Sequence, residues 1–199
     1  LDYAHTPDAL EASLKCLKEQ FKNSNISIVF GCGGDRDKAK RPMMGKIANK
    51  YCDRVYLTDD NPRHENPKTI RNSIKRCINK SKIYEISNRA NAINKAILDL
   101  KTADILIVAG KGHEKIQEYN KIKKLFSDQQ QILKNITIKN KTLSSNIKLN
   151  ILKELSNSNN ISSKLKIKNA SINSKEIKKK DIFFAIKGKN KDGNLFANE

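Results

Sequence analysis

Four short apolar runs dominate the first half of this chain: Ile26-Ser27-Ile28-Val29-Phe30, Arg54-Val55-Tyr56-Leu57, Ile83-Tyr84-Glu85-Ile86 and Ile105-Leu106-Ile107-Val108-Ala109. Between them, apolar residues recur every three or four positions, the period of a helix. Residues 7–22 carry Leu10, Leu14, Leu17 and Phe21 on one face, with Thr6 placed to cap and Pro7 suited to the first helical position. A second helix is expected from Pro42 to Tyr51. Asn66-Pro67 opens a third, with Ile70, Ile74, Cys77 and Ile78 aligned, and Ile93, Ala96, Ile97 and Leu100 line a fourth. Strands apolar on both faces that alternate with helices pack as a parallel sheet covered on each side. The predicted class is α/β, a Rossmann-like parallel sheet with helices on both faces.

In open sheets of this kind, ligands gather at the carboxyl ends of the strands. Every unusual motif falls at such an end: Asp2 to His5, Gly31 to Arg36, Asp59 to Arg63, and Gly110 to Glu114. Two of these loops are glycine-rich, yet neither is a known phosphate loop. Gly31-x-Gly33 meets Arg36 where a dinucleotide fingerprint needs its third glycine, and Gly110-Lys111-Gly112 lacks the Ser or Thr of a Walker loop. The rim instead offers both signs of charge. Arg36 and Arg63 present forks suited to carboxylates, while Asp60 and Glu114 suit an ammonium. Pro62 and the glycines fix backbone around them. This set suits a small zwitterion such as an amino acid.

After about Asn135 the character changes. Residues 136–147 are polar, lack long periodicity and read as a linker. A short helix around Leu149–Leu155, an Asn/Ser stretch over 156–163, a strand Asp181–Ile186 and a turn at Lys191-Asp192-Gly193 are expected beyond it. The domain expectation is 1–136, a linker over 137–147, and 148–199 as a short, incomplete α+β tail. The chain starts at Leu1 in what reads as a strand end, without an initiator Met, so a piece of a longer enzyme is expected.

The formal charge is +19, from 40 Lys and Arg against 21 Asp and Glu. A basic RNA-binding module is the rival class this raises. Against it, Lys is spread evenly, and the six Phe and five Tyr do not interleave with it as stacking platforms. Cys16, Cys32, Cys52 and Cys77 are widely spaced, with no Cys-x-x-Cys pair, which argues for a reducing compartment and against zinc. No apolar run is long enough to span a bilayer. The expectation is a cytoplasmic protein with no nucleic-acid partner, no bound metal of its own and no membrane insertion.

The motifs also carry a resemblance. Asp2-Tyr3-Ala4-His5-Thr6-Pro7-Asp8, Gly31-Cys32-Gly33-Gly34-Asp35-Arg36-Asp37-Lys38, Asp60-Asn61-Pro62-Arg63 and Gly110-Lys111-Gly112-His113-Glu114 stand in the order and approximate spacing found in Mur ligases. Over residues 1–136 the chain resembles the C-terminal domain of those that add meso-diaminopimelate to UDP-N-acetylmuramoyl-L-alanyl-D-glutamate. The first motif is shared with folylpolyglutamate synthetases, so another ligase of that wider group is an alternative. Ala39 stands where relatives commonly have Gly.

The resemblance implies that Asp60, Asn61, Pro62 and Arg63 recognise diaminopimelate, with Arg36, Gly110 and Glu114 completing the pocket. Asp2 and His5 would face ATP. It further implies Mg²⁺, a UDP-sugar dipeptide substrate, and an amine that attacks an acyl phosphate formed from ATP. The main ligands for ATP and Mg²⁺ would lie upstream of Leu1, and the fragment alone would be inactive. The tail is similar to the start of the D-alanyl-D-alanine-adding Mur ligase, through Asn173-Ser174-Lys175-Glu176-Ile177, Asp181 to Gly188 and Asp192-Gly193. That likeness implies two fused ligases. Lys175 departs from the Arg usual after Ser, which puts a nucleotide role for Ser174 in question.

Overall fold

The computed structural model describes residues 1–145, 169–171 and 181–183. The chain divides into two compact units, Leu1–Ile136 and Thr137–Glu199. In the first, strands β1 (Ile26–Phe30), β2 (Arg54–Leu57), β3 (Ile83–Glu85) and β4 (Ile105–Val108) form one sheet in the order β3-β2-β1-β4. All three pairings are parallel. Helices α1 (Pro7–Gln20), α2 (Lys40–Tyr51), α3 (Pro67–Lys75) and α4 (Arg89–Asp99) intervene as the periodicity requires.

The strand pleat sorts side chains into two cores. Ile26, Ile28 and Phe30 point to one face, with Val55, Leu57 and Ile107 and the apolar stripes of α1, α2 and α3. Val29, Tyr56 and Val108 point to the other, against Ala92, Ile93, Ala96 and Ile97 of α4 and Ile132 beyond it. Helices therefore cover both faces. Caps fall where the sequence places them. Thr6 Oγ1 accepts from the Ala9 amide at 3.3 Å, Asn66 from Lys68 at 2.9 Å and Asn88 from Asn91 at 3.0 Å.

Three differences from the sequence expectations stand out. A hairpin, β5 (Ile116–Tyr119) and β6 (Ile122–Leu125), follows β4 where no element is expected. Its β6 side chains are all exposed, so no apolar alternation marks it. Helix α5 then runs from Asp128 to Ser145, so the supposed linker is helical up to that residue. The edge strand β3 is only half buried and one residue shorter than its apolar run.

In the second unit, β7 (Asn169–Ser171) pairs in parallel with β8 (Asp181–Phe183). The strand expected over Asp181–Ile186 is thus present in its first half. The helix near Leu149–Leu155, the 156–163 stretch, the turn at Lys191 and the Ser174 motif lie outside the described residues. Among the described residues, no helix is long and apolar enough to cross a membrane.

Candidate functional site

Strand order reverses between β1 and β4, because β1 passes to α2 and β2 on one side while β4 lies on the other. The loops after these two strands splay apart there and leave a crevice. A cleft of about 650 Å³ occupies that position, and Tyr3, His5, Gly33, Arg36, Lys40, Asp60, Asn61, Arg63, Gly110 and Glu114 all line it. Seven of the nine residues singled out from sequence therefore share one hollow. Pro62 and Asp2 do not line it. The Asp2 carboxylate accepts from the Ala4 amide at 2.9 Å and from Ser13 Oγ at 2.7 Å, while its backbone bridges to Ala109.

The loop after β1 is pressed onto the loop after β2. A Cβ on Gly34 would sit 1.8 Å from the Pro62 carbonyl oxygen, and the Gly34 amide donates to Asn61 O at 2.8 Å. Arg41, buried on α2, locks the two together. Its guanidinium meets both Glu65 carboxylate oxygens at 2.9 and 2.8 Å, and Glu65 also accepts the Asp35 amide at 2.7 Å. Hydrogen bonds from Arg41 outweigh desolvation and hold the Glu65 carboxyl at about 2. Asp35 and Arg63 both take left-handed backbone, each with φ of 51°. Arg63 Nη1 donates to Gly34 O at 2.7 Å, and its Nε lies 3.7 Å from Glu118 Oε2. Arg36, by contrast, is exposed, and its Nη1 donates to the carbonyl of its neighbour Asp35 at 3.2 Å.

The loop after β4 is organised by Lys111, whose side chain is wholly buried. Its ammonium donates to Asn61 Oδ1 at 3.0 Å, Glu114 Oε2 at 2.9 Å and Ile116 O at 2.7 Å. Three donors meet three acceptors, which is how an interior ammonium is tolerated. The Asn61 amide is thereby consumed inside the protein: its nitrogen donates to Glu114 at 3.0 Å, and its oxygen also accepts the Glu118 amide at 3.1 Å. Burial pushes the Glu114 carboxyl up, yet Lys111, the Asn61 hydrogen bond and Arg63 together outweigh it and leave it lowered. Burial dominates at Asp60 and raises it, against opposing pulls from Arg89 and Lys111.

Strand β5 lies along the Asp59–Arg63 loop and fixes it. Gln117 Nε2 donates to Asp60 O at 2.8 Å, and Tyr119 Oη donates to Asp59 Oδ2 at 3.1 Å. Asp59 also pairs with Arg71. At the cleft mouth, the Tyr3 ring lies 4.8 Å from that of His5 and 5.3 Å from that of His113. Lys40 Nζ donates to His5 O at 3.0 Å. Burial pushes the Cys32 thiol up to about 12, which disfavours the thiolate that would act as a nucleophile.

Sequence reasoning misses Lys111, Arg41, Glu65, Arg89 and Gln117 as builders of this site. Arg41, Arg89, Lys111 and Gln117 are polar residues buried by the fold and Glu65 is half-buried, and for all but Lys111 nothing local distinguishes them from surface residues. For Lys111 alone a signal existed: it sits between two glycines at a strand end.

An open parallel sheet with a cleft of both charge signs at its switch point defines a ligand-presenting α/β domain. Comparison with known proteins narrows this. Residues 1–112 match the family described as Mur ligase, glutamate ligase domain, and the chain belongs to that family. A UDP-N-acetylmuramoyl-L-alanyl-D-glutamate–2,6-diaminopimelate ligase of Rickettsia rickettsii is 52% identical over 139 residues, covering 69% of this chain and 29% of that protein. The enzyme of the same name from Buchnera aphidicola is 50% identical over 141 residues, covering 70% and 28%. A solved structure of a ligase of that name matches with a TM-score of 0.64 at 43% identity, over 68% of this chain and 28% of its own. The chain thus spans less than a third of the relatives it matches.

Proposed function

We propose that this cleft holds the amino-acid substrate of an ATP-dependent ligase that adds meso-diaminopimelate to UDP-N-acetylmuramoyl-L-alanyl-D-glutamate during cytoplasmic cell-wall precursor synthesis. The observation that carries the reading is the meeting of Arg36 and Arg63 with Asp60 and Glu114 around one hollow. Guanidinium groups take the carboxylates of the amino acid, and the acidic side chains take an ammonium. Diaminopimelate exceeds lysine by one carboxylate on its far carbon. A guanidinium left unpaired when lysine binds imposes a penalty far larger than a methylene fit can give. The domain's contribution to the reaction is to present the nucleophilic amine in attack geometry.

The residues described here do not fit a magnesium site: no group of three or more His, Cys, Asp or Glu among them could hold a metal. Nor is the Gly34 amide free to cradle phosphate, since it donates to Asn61 O, and the Pro62 carbonyl crowds the same glycine. The proposal therefore assigns ATP and Mg²⁺ mainly to parts of the ligase outside this chain, with His5 as the candidate contact at the cleft mouth. It also takes the tail as the opening of the D-alanyl-D-alanine-adding ligase, on the strength of its motifs alone.

Titration calorimetry of the 199-residue chain tests the cleft. Meso-diaminopimelate should give a saturable heat, and L-lysine none at the same concentrations. Equal binding of both, or of neither, defeats the reading.

A further inference from the structure

Behind the cleft lining lies a buried guanidinium that does not itself line the hollow. Arg89, the first residue of α4, is wholly enclosed. Its Nε and Nη2 donate to the two Asp128 carboxylate oxygens at 2.8 and 2.7 Å, and Nη2 also donates to Ala109 O at 2.9 Å. Its remaining nitrogen, Nη1, is sealed from water and has no hydrogen-bond partner among the described residues. That nitrogen lies 4.0 Å from Asp60 Oδ2. A buried donor without an acceptor is costly. The arrangement is accounted for if the charge is spent on Asp60, the one lining carboxylate almost wholly withdrawn from water.

Room for Asp60 is equally constrained. Gly110, with φ of 107°, passes so close that a Cβ there would lie 3.0 Å from Asp60 Oδ2. Asp60, Glu114 and Asp128 are three carboxylates, and Arg89 and Lys111 are pressed among them, while Arg63 acts on Glu114 from the cleft wall. Burial favours the neutral form of Asp60, and Arg89 is the strongest influence opposing it.

We infer that Arg89 is a positioning residue: clamped by Asp128, it turns its unbonded nitrogen toward Asp60, steadies that carboxylate at the cleft wall and favours its charged form against burial, so that the ammonium of an amino acid can dock there. This rests on the amino-acid reading above and extends it to a residue behind the cleft lining. The clamp reaches across to α5, whose first residue is Asp128. Helix α5 thus belongs to the site although it lies beyond the matched family region. Other groups acting on Asp60 are Lys111 and Glu114 from the loop after β4 and Cys32 from the loop after β1. Arg36, Lys40 and Arg63 lie on the cleft wall.

Side-chain ¹³C NMR of the 199-residue chain tests this, with the Asp60 signal assigned through Asp60→Asn. In Arg89→Gln the Asp60 midpoint should rise by about one pH unit or more relative to wild type, the size expected for losing a cation at this range. Arg89→Lys should recover much of the difference, which a purely structural role would not do. If Arg89→Gln does not fold, the double variant Arg89→Met/Asp128→Leu replaces the buried pair with apolar groups of similar size and should give the same rise. A midpoint that ignores residue 89 overturns the inference. A midpoint that follows residue 89, with no response of Asp60 to added meso-diaminopimelate, upholds the coupling and defeats the functional reading instead.

Discussion

The Lys111 ammonium and the Asn61 side-chain oxygen, fifty residues apart in sequence, meet at 3.0 Å inside the protein. This contact ties the loop after β4 to the loop after β2, and with it Glu114 to the Asp60–Arg63 segment. The Lys111 ammonium and the Asn61–Glu114 hydrogen bond thus tie the two walls of the cleft together.

Replacing that cation should be severe. Lys111→Met takes one donor each from Asn61 Oδ1, Glu114 Oε2 and the Ile116 carbonyl, and removes the cation buried against Glu114. Stripping one partner from a buried charge network costs roughly 3–5 kcal/mol. Urea denaturation of the 199-residue chain should show a loss of that order. A change below about 1 kcal/mol would mean the network contributes little.

Gly34 makes a steric prediction. Its φ is unremarkable, but any Cβ would lie 1.8 Å from the Pro62 carbonyl oxygen, which is backbone and cannot swing aside. Gly34→Ala must push the β1 and β2 loops apart. A loss of stability above about 2 kcal/mol is expected, at the upper end for point substitutions, together with loss of diaminopimelate binding by calorimetry. A variant as stable and as tightly binding as wild type would refute the close packing described.

Acid should unlock the Arg41–Glu65 tie. The Glu65 carboxyl ordinarily titrates near 4.5 and is held at about 2 in the folded chain. A carboxyl depressed on folding contributes stability that is complete above its unfolded value and is lost as pH falls toward the folded one. Wild type should therefore lose stability between about pH 4.5 and 2 more steeply than Glu65→Gln does. Thermal melts of both proteins across that range check it. Parallel curves would show that Glu65 carries no such linkage.

How much of this was open to reading from sequence follows from the physics of each part. Strands β1 and β2 coincide with their apolar runs, because a strand buried on both faces must be apolar throughout. The rim motifs were legible as a group because parallel topology sends every strand's carboxyl end to one edge. The β5–β6 hairpin was not, since Gln117 and Tyr119 act through hydrogen bonds to the Asp59–Asp60 segment rather than through apolar burial. Helix α5 escapes the sequence reading for a related reason: its Asn, Thr and Ser are weak helix formers, and Asp128 is enclosed by pairing with Arg89. The Asn61 amide looked like a ligand contact from its motif. Its partners lie on segments that only folding brings near.

The account's main claim is that the Arg63 guanidinium, fixed by Gly34 O, selects the distal carboxylate of the amino acid. The ratio of kcat/KM for meso-diaminopimelate over L-lysine, measured in the intact ligase for wild type and Arg63→Ala, addresses it directly. A wild-type preference of up to ~10⁴ should collapse toward parity in the variant. Retention of the wild-type ratio by Arg63→Ala would contradict it.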